Sequence, residues 1–339
     1  MNVREQAQYR WDHVAKPLHS LGRLEDAIVQ IAEIQQTVDV CIRKRCALVF
    51  CADHGVVAQG VTQSGSEVTA LVARSIAEGT ANINLMASAA RADVYAVDMG
   101  MLHNVPGVLD RHVAYGTQDI SLGPAMTRAQ AEQALQAGME LVGQMKSQGY
   151  QLIATGEMGI GNTTASTAMA CALLGCTPEE LTGRGAGLSD AGLERKRSAI
   201  CRALEINQPN AADPLDVLAS VGGFEIAGMA GAFLGGMKHH VPIVIDGVIS
   251  AVAALTAVRL CPEARSFMLP SHMSREPAMV RITEELGLQP FIHADMALGE
   301  GTGAVAVLPL LDMALQVYHG THTFDDLGME AYTPQEECK

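Results

Sequence analysis

Five short runs of apolar residues recur along the chain, and within each run the apolar residues are nearly continuous rather than alternating with polar ones. Runs of this kind are typical of strands that are buried on both faces of a parallel sheet. The pattern predicts strands over residues 47–52, 92–97, 151–154, 241–245 and 266–269.

Between these runs, apolar residues recur every three or four positions, as on one face of a helix. The helices predicted in this way include 21–36, 67–77, 127–148, 190–203 and 248–260. Thr127 is the expected N-cap of the helix at 127–148, and Ser64 or Ser66 that of the helix at 67–77. The segment 224–236 is rich in Ala and Gly, which would let two helices approach closely. Because strands and helices alternate, the strands are expected to form a parallel sheet in an α/β fold.

Each predicted strand ends in a cluster of polar residues or glycines. The clusters are Asp53-His54-Gly55, Asp98-Met99-Gly100, the glycine turn that begins at Gly156, Asp246-Gly247 and Ser271-His272-Met273-Ser274. The carboxyl ends of parallel strands share one edge of the sheet, where open α/β proteins bind ligands. Asp53 and His54 are interpreted as residues that cap and orient their turn, because nothing nearby forms a nucleophile–base pair with them.

The glycine turn has the sequence GEMGIGNTTAS over residues 156–166. A strand, a glycine-rich turn and a helix in this order favour a phosphate cradle, in which backbone N–H groups and the helix N-terminus face an anion. Asn162 or Thr163 would cap the helix. No Gly-Lys-Ser/Thr follows, and the GxGxxG order of a dinucleotide site is missing. The alternative is a tight strand–helix connection without a ligand.

A second glycine turn, Gly183-Arg184-Gly185, leads to the helix that carries Arg195, Lys196 and Arg197. Consecutive residues on a helix point about 100° apart, so one or two of these cations can face a single ligand. Two interpretations are open: a solvated basic face, or a helix from which Lys196 supplies a point charge for a phosphate.

A third glycine-rich motif, LGEGTG at residues 298–303, places Glu300 between glycines just before a helix predicted over 304–317. The first turn of a helix offers unpaired N–H groups and a partial positive charge, which favour an ionised carboxylate. A carboxylate held in a partly desolvated pocket can act as a general base. The alternative for Glu300 is a helix cap, and this stretch alone does not separate the two.

Composition narrows the class of function. The 339 residues are 48% hydrophobic and 18% charged, with a net charge of −14, so nucleic acids and anionic membranes are not expected partners. The N-terminus has no apolar core like that of a signal peptide, and no run reaches about 18 apolar residues. The eight cysteines form no CxxC pair, which favours reduced thiols in a cytoplasmic protein. A metal site is not expected.

Taken together, these motifs resemble those of the nicotinate-nucleotide:5,6-dimethylbenzimidazole phosphoribosyltransferases, enzymes that activate the lower ligand of cobamides. The resemblance covers residues 15–328. It rests on SLGRLE at 20–25, ADHGV at 52–56, GEMGIGNTT at 156–164, GRG at 183–185, VGGFEI at 221–226, IDG at 245–247, SHMS at 271–274 and LGEGTG at 298–303.

The resemblance implies a doubly wound, mostly parallel, Rossmann-like α/β domain at residues 40–295. A small helical domain would be built from both chain ends, 1–39 and 296–339, and the protein would be a homodimer. The reaction implied is transfer of phosphoribosyl from nicotinate mononucleotide to a benzimidazole nitrogen, with inversion at the anomeric carbon. The products would be an α-riboside 5′-phosphate and nicotinate, and no cofactor or metal is needed.

The resemblance also implies roles for single residues. Glu300 matches the catalytic carboxylate that takes a proton from the incoming base. The 5′-phosphate would sit on the turn formed by Gly159, Ile160, Gly161, Asn162 and Thr163, with Gly185, Lys196, Gly247 and Ser274 converging on it. Glu157 and Asp246 match positions near the ribose and the reactive centre, where they would bind hydroxyls or stabilise positive charge. Met158 and Leu298 would be apolar walls for the flat base, although core packing also explains them. His272 is expected to be a structural hydrogen-bonding residue.

The chain departs from the family pattern at three places. Ser64-Gly65-Ser66 stands where many members have Pro-Gln, Ala278 replaces a Gly, and Leu18-His19 replaces Pro-Gly. The first of these departures leaves the accepted base open: it could be another benzimidazole, a purine or a phenolic compound. The alternative function is a non-catalytic or partner-dependent subunit of a related phosphoribosyltransferase.

Overall fold

The fold is centred on one sheet of six parallel strands, seen in a computed structural model that describes residues 1–333. The strands are β1 (Arg45–Ala52), β2 (Asp93–Gly100), β3 (Leu109–Asp110), β4 (Leu152–Met158), β5 (Ile243–Val244) and β6 (Met268–Leu269). Their order is β3-β2-β1-β4-β5-β6, and every pairing is parallel. The predicted parallel α/β fold is confirmed.

The strand order reverses between β1 and β4. The chain moves outward through β2 and β3 on one side of β1, and through β5 and β6 on the other side. In doubly wound folds such a reversal opens a crevice outside the carboxyl ends of the two central strands. All eight residues of β1 are buried, as its continuous apolar run predicts.

Two details of the sheet differ from the prediction. The sequence does not predict β3, because this strand pairs through only Leu109 and Asp110 and has no apolar run of its own. β5 and β6 are two residues each, shorter than the predicted runs. Ser266 belongs to a 3-10 helix, Pro262–Phe267, instead of the strand that follows it.

Fourteen α-helices surround the sheet over residues 1–333. They are α1 (Val3–His13), α2 (Arg23–Gln35), α3 (Glu67–Ala77), α4 (Asn82–Ala89), α5 (Arg128–Ser147), α6 (Asn162–Leu174), α7 (Pro178–Leu181), α8 (Asp190–Asn207), α9 (Pro214–Val221), α10 (Phe224–His239), α11 (Val248–Leu260), α12 (Ala278–Glu285), α13 (Thr302–Ala306) and α14 (Leu308–Gly320). None of these helices combines the length and the apolar character that crossing a bilayer requires.

The predicted helix ends are partly right. Thr127 caps α5 in a capping box with Gln130, as predicted. Ser66 holds the N-cap position of α3, as predicted, but its side chain accepts no hydrogen bond there. The helix predicted over 304–317 is interrupted at Val307, where α13 ends and α14 begins. Pro309 lies in the first turn of α14, the place in a helix where a missing N–H costs least.

Small residues let α5 and α10 pack at close range, as the Ala/Gly-rich segment predicts. A methyl group on Gly138 would collide with the Gly228 carbonyl oxygen, and one on Gly231 would collide with that of Leu135. No larger side chain fits at these positions without separating the helices.

Helices from the two ends of the chain pack against each other. The rings of Trp11 and Tyr318 lie 5.0 Å apart, and Ala15 N donates to the His322 carbonyl at 2.9 Å. These contacts join α1 to the end of α14. Seven cysteines within residues 1–333 are free thiols, while Cys338 lies outside the described residues.

Candidate active site

A cavity of about 280 Å³ lies at the carboxyl edge of the sheet. It is formed where the segments that follow β4, β5 and β6 meet the LGEGTG loop. The predicted site residues that line it are Glu157, Met158, Gly159, Ile160, Asn162, Thr163, Gly185, Asp246, Gly247, Ser274, Leu298 and Glu300. The fold therefore brings motifs from distant parts of the chain to one place.

Gly161 and Lys196 are the two predicted site residues that do not line this cavity. Gly161 lines an adjoining cavity of about 90 Å³, which also contacts Gly159 and Thr163. Lys196 is fully buried, and its ammonium donates to Thr163 Oγ1 at 2.8 Å and to the Gly183 carbonyl at 3.2 Å. Burial lowers the pKa of Lys196 to about 8, and the negative charge of Glu276 opposes that shift. The interpretation of Lys196 as part of a solvated basic face is wrong.

The glycine turn begins where β4 ends and leads into α6. A methyl on Gly159 would lie 2.6 Å from the Ala52 carbonyl oxygen, so the turn can approach β1 only with a glycine there. Gly161, at φ +99°, holds the N-cap position of α6. The predicted cap by Asn162 or Thr163 is therefore wrong: Asn162 instead donates through its side-chain amide to Glu157.

One amide of the turn has a partner that the sequence did not indicate. Ile160 N donates to Thr69 Oγ1 at 3.2 Å, so this N–H points to α3 rather than to an open anion site. Thr163 Oγ1 accepts from Lys196, which brings a positive charge directly behind the turn. The anion-binding character of this end of the cavity therefore depends on Lys196 as well as on backbone amides.

The LGEGTG loop has an unusual backbone. Gly299, Glu300 and Gly301 have φ values of +87°, +61° and +90°, three left-handed residues in succession. A non-glycine residue rarely adopts this conformation, and such strain persists only where the surrounding structure enforces it. The enforcing contact is tight: a methyl on Gly156 of β4 would lie 2.5 Å from the Glu300 carbonyl oxygen.

The carboxylate of Glu300 is held by a helix other than its own. Ile83 N donates to Oε2 at 3.2 Å and Asn82 Nδ2 approaches Oε1 at 3.4 Å, both from the first turn of α4. The residue is 9% exposed, so it is nearly buried yet borders the cavity. The prediction that the helix after Glu300 stabilises its negative charge is wrong in location: the N-terminus of α4 does so.

Asp246, rather than Glu300, binds the N-terminus of α13. Its two carboxylate oxygens accept from Gly301 N at 3.1 Å and from Ala304 N at 2.9 Å. Burial raises the pKa of Asp246 to about 6, and the backbone amides that bind the carboxylate oppose the shift. Asp246 therefore fixes the loop that carries Glu300, in addition to bordering the cavity.

Glu157 lies between the glycine turn and the LGEGTG loop. Burial raises the pKa of Glu157 to about 8, and the nearby charges of Asp246, Glu225 and Glu300 add to the shift, while the bond from Asn162 opposes it. This carboxyl group therefore keeps its proton to a higher pH than an ordinary glutamate does. A positively charged ligand placed beside it would favour loss of that proton.

The raised pKa of Glu157 predicts a pH-dependent stability. Its ordinary pKa is about 4.3, so the folded state is progressively destabilised by this group as the pH rises to about 8. Glu157→Gln is expected to melt several degrees above the wild type at alkaline pH and close to it below about pH 4. Melting curves across this range test the prediction, with the exposed Glu78→Gln as control. A difference that is constant with pH would contradict it.

Two histidines near the cavity have structural partners. His54 Nε2 lies 2.7 Å from Glu225 Oε1, and both side chains are buried. His272 Nδ1 lies 3.1 Å from Ser271 Oγ, as expected for a structural hydrogen-bonding residue, and burial lowers the pKa of His272. Asp53 accepts from Leu102 N at 2.8 Å, which fits its interpretation as a residue that orients its turn.

Several site residues were missed by the sequence analysis. Asn82, Val72 and Glu276 contribute to the site from three further segments. Asn82 opens a helix after Thr80 and Ala81, which is a recognisable helix start, but nothing local links it to Glu300. Among residues 1–333, no three His, Cys, Asp or Glu side chains are grouped as metal ligands would be.

The cavity combines two kinds of chemistry. Lys196 lies behind Thr163 and next to Gly185, and this part of the cavity, the phosphate end, suits an anion. The cavity is also lined by the carboxylate of Glu300 and by apolar groups from Val72, Met158 and Leu298. Leu298 is 51% exposed and forms the rim of the cavity, so it is not a core residue. A ligand with an anionic tail and a flat apolar head fits this arrangement.

Comparison with known proteins agrees with the geometry. A family model described as a phosphoribosyltransferase, DBI_PRT, matches residues 1–329. The nicotinate-nucleotide–dimethylbenzimidazole phosphoribosyltransferase of Ruminiclostridium cellulolyticum is 43% identical over 334 residues, covering 98% of this chain and 95% of that protein. That of Acetivibrio thermocellus is 44% identical over 333 residues, covering 98% and 95%.

A solved structure also matches. The crystal structure of CobT from Thermus thermophilus superposes with a TM-score of 0.91 at 42% identity, covering 97% of this chain and 99% of that one. The motifs, the sheet order and these matches lead to one conclusion: this chain belongs to the nicotinate-nucleotide–dimethylbenzimidazole phosphoribosyltransferase family.

Proposed function

We propose that this chain transfers the phosphoribosyl group of nicotinate mononucleotide to 5,6-dimethylbenzimidazole or a related lower-ligand base. The products are an α-riboside 5′-phosphate and nicotinate, which places the enzyme in assembly of the nucleotide loop of cobamides. The observation that carries the proposal is the shared cavity: Glu300 lines it together with the glycine turn, and Lys196 lies behind that turn.

Glu300 is proposed as the general base. One ring nitrogen of the incoming base attacks the anomeric carbon while Glu300 takes the proton from the other ring nitrogen. The leaving pyridinium becomes neutral as the glycosidic bond breaks, so its departure needs no acid. Catalysis then depends on aligning base and sugar and on excluding water, which the nearly buried carboxylate and its fixed loop support.

The nucleotide is proposed to bind with its phosphate at the Lys196 end of the cavity. Gly185, Gly247 and Ser274 line the cavity, and Lys196 supplies the positive charge through its contact with Thr163. Glu157 would lie near the ribose and the pyridinium ring, where deprotonation of its raised-pKa carboxyl group provides a counter-charge. Asp246 is proposed to act mainly on the Glu300 loop.

Incubating the chain with nicotinate mononucleotide and a panel of bases tests the proposed function. The panel contains 5,6-dimethylbenzimidazole, unsubstituted benzimidazole, adenine and a phenol, and chromatography measures nicotinate release. We expect release to be fastest with a benzimidazole, because the apolar side chains of Val72, Met158 and Leu298 line the cavity. Release with the purine or phenol alone would assign the chain to a related transferase. No release with any base would favour a non-catalytic or partner-dependent subunit.

Three further features are part of the proposal. The chain is proposed to act as a homodimer in the cytoplasm, and the free thiols of residues 1–333 are compatible with a reducing compartment. The domain division is proposed to be 40–295 for the large α/β domain and 1–39 with 296–339 for the small helical one. Packing of Trp11 against Tyr318 supports the pairing of the two chain ends.

A further inference from the structure

Glu276 extends a carboxylate into the phosphate end of the cavity. Its Oε1 accepts a hydrogen bond from Gly185 N at 3.1 Å, and Glu276 lines the cavity together with Thr163, Gly185 and Ser274. Gly185 N is one of the backbone amides at the phosphate site proposed above. Before a nucleotide enters, this amide is therefore already bound to an anion that belongs to the chain itself.

The turn at residues 183–185 is shaped to accept this carboxylate. A methyl on Gly183 would collide with Glu276 Oε2, so the side chain can lie here only because residue 183 is a glycine. Lys196 donates to the Gly183 carbonyl at 3.2 Å, and its ammonium would lie 3.6 Å from a methyl on Gly185. The buried ammonium and the carboxylate thus lie on the same short turn.

Glu276 and Lys196 interact without forming a close ion pair. Within residues 1–333 no carboxylate lies within 4.0 Å of the Lys196 ammonium. The charge of Glu276 nevertheless raises the pKa of Lys196 against the effect of burial. The positive charge of Lys196 is therefore not neutralised by a carboxylate in direct contact within the described residues.

We propose that Glu276 is an internal anion that occupies the phosphate end of the cavity until the phosphate of the nucleotide displaces it. This inference rests on the proposed function. Two anions cannot share Gly185 N without strong repulsion. Glu276 is half-buried and precedes α12, so its side chain can turn outward to solvent when the phosphate enters.

Displacement of Glu276 by a phosphate determines the affinity of the site for phosphate-bearing molecules. Nucleotide binding must overcome the interaction of Glu276 with Gly185 and with Lys196, which weakens affinity. The same carboxylate competes for the site after transfer and so assists release of the phosphorylated product. Glu276 is thus a residue that tunes affinity, and it takes no part in bond formation.

Glu276→Gln tests the inference because glutamine keeps an acceptor for Gly185 N but carries no charge. With inorganic phosphate as the probe, calorimetry at one fixed pH is expected to show about tenfold tighter binding than in the wild type. The KM for nicotinate mononucleotide should fall by a similar factor, while kcat stays the same or falls as product release slows. A residue with a purely structural role would leave phosphate affinity unchanged or weaken it.

Controls separate this inference from the proposed function. Glu284→Gln, an exposed change on α12, should match the wild type. Lys196→Met should lose phosphate binding. If this variant binds phosphate as the wild type does, both the proposed phosphate site and the inference about Glu276 are wrong. If Lys196→Met loses binding but Glu276→Gln gains none, the inference alone is overturned. If Glu276→Gln fails to fold, Glu276→Ala replaces it with the same expected gain.

Discussion

Glu300→Gln is expected to lower kcat by about a thousandfold, within the range for loss of a general base, while nucleotide affinity stays nearly unchanged. Glutamine has almost the same shape and can still accept from Ile83 N, so the loop and the contact with α4 should persist. It cannot take a proton from the incoming base. Steady-state kinetics with saturating base and calorimetry with nicotinate mononucleotide measure the two effects separately.

Glu285→Gln is a suitable control for this change. Glu285 pairs with Arg259 at the surface, away from the cavity, and its replacement should leave kcat unaltered. If Glu300→Gln turned over at the wild-type rate, Glu300 would lose its assigned role. Loss of nucleotide affinity together with kcat would instead indicate that the carboxylate mainly maintains the shape of the cavity.

Asp246→Ala is expected to have the second largest effect. It would leave Gly301 N and Ala304 N buried without an acceptor, at a cost of about 2 kcal/mol in the free energy of unfolding. The left-handed backbone at Glu300 would lose its anchor, and we expect kcat to fall by about a hundredfold because the base is no longer aligned. Asp246→Asn keeps one acceptor, so its losses should be smaller. Denaturant unfolding and kinetics on both variants test this order.

Asp213 offers a matched control because it is also a carboxylate that binds backbone amides at a helix start. It accepts from Leu215 N and Asp216 N at the beginning of α9, away from the cavity. Asp213→Ala should therefore reduce stability without a comparable fall in kcat. If the two alanine variants lost activity in proportion to their loss of stability, Asp246 would have no specific effect on the Glu300 loop.

The features that could be predicted from sequence are those encoded by residues that are contiguous in the chain. The buried strands show as apolar runs, and the two glycine motifs around Gly159 and Glu300 show both the turn and its chemistry within a short stretch of chain. The location of the Gly159 motif at the carboxyl edge of the sheet follows from strand–helix alternation, whereas the Glu300 motif follows no predicted strand. The roles of single residues came from the family resemblance, because hydrophobic periodicity carries no information about them.

The features that escaped prediction depend on contacts between distant residues. Glu300 is bound by Asn82 and Ile83, more than two hundred positions away, so the wrong helix was expected to stabilise it. Asp246 reaches Gly301 across 55 positions in a way that local sequence does not encode. The left-handed conformation of Gly161 was not apparent from composition. The N-cap of α6 was therefore predicted at the wrong residue.

Glu157, Asp246 and Glu300 all line the cavity, and this group of three acidic residues affects the molecule that leaves. Nicotinate mononucleotide arrives with a pyridinium ring whose positive charge these groups attract. Once the bond to the sugar breaks, the ring is neutral and only its own carboxylate remains charged. The attraction that held the ring is then lost, so breaking the bond itself favours release of nicotinate and disfavours the back reaction.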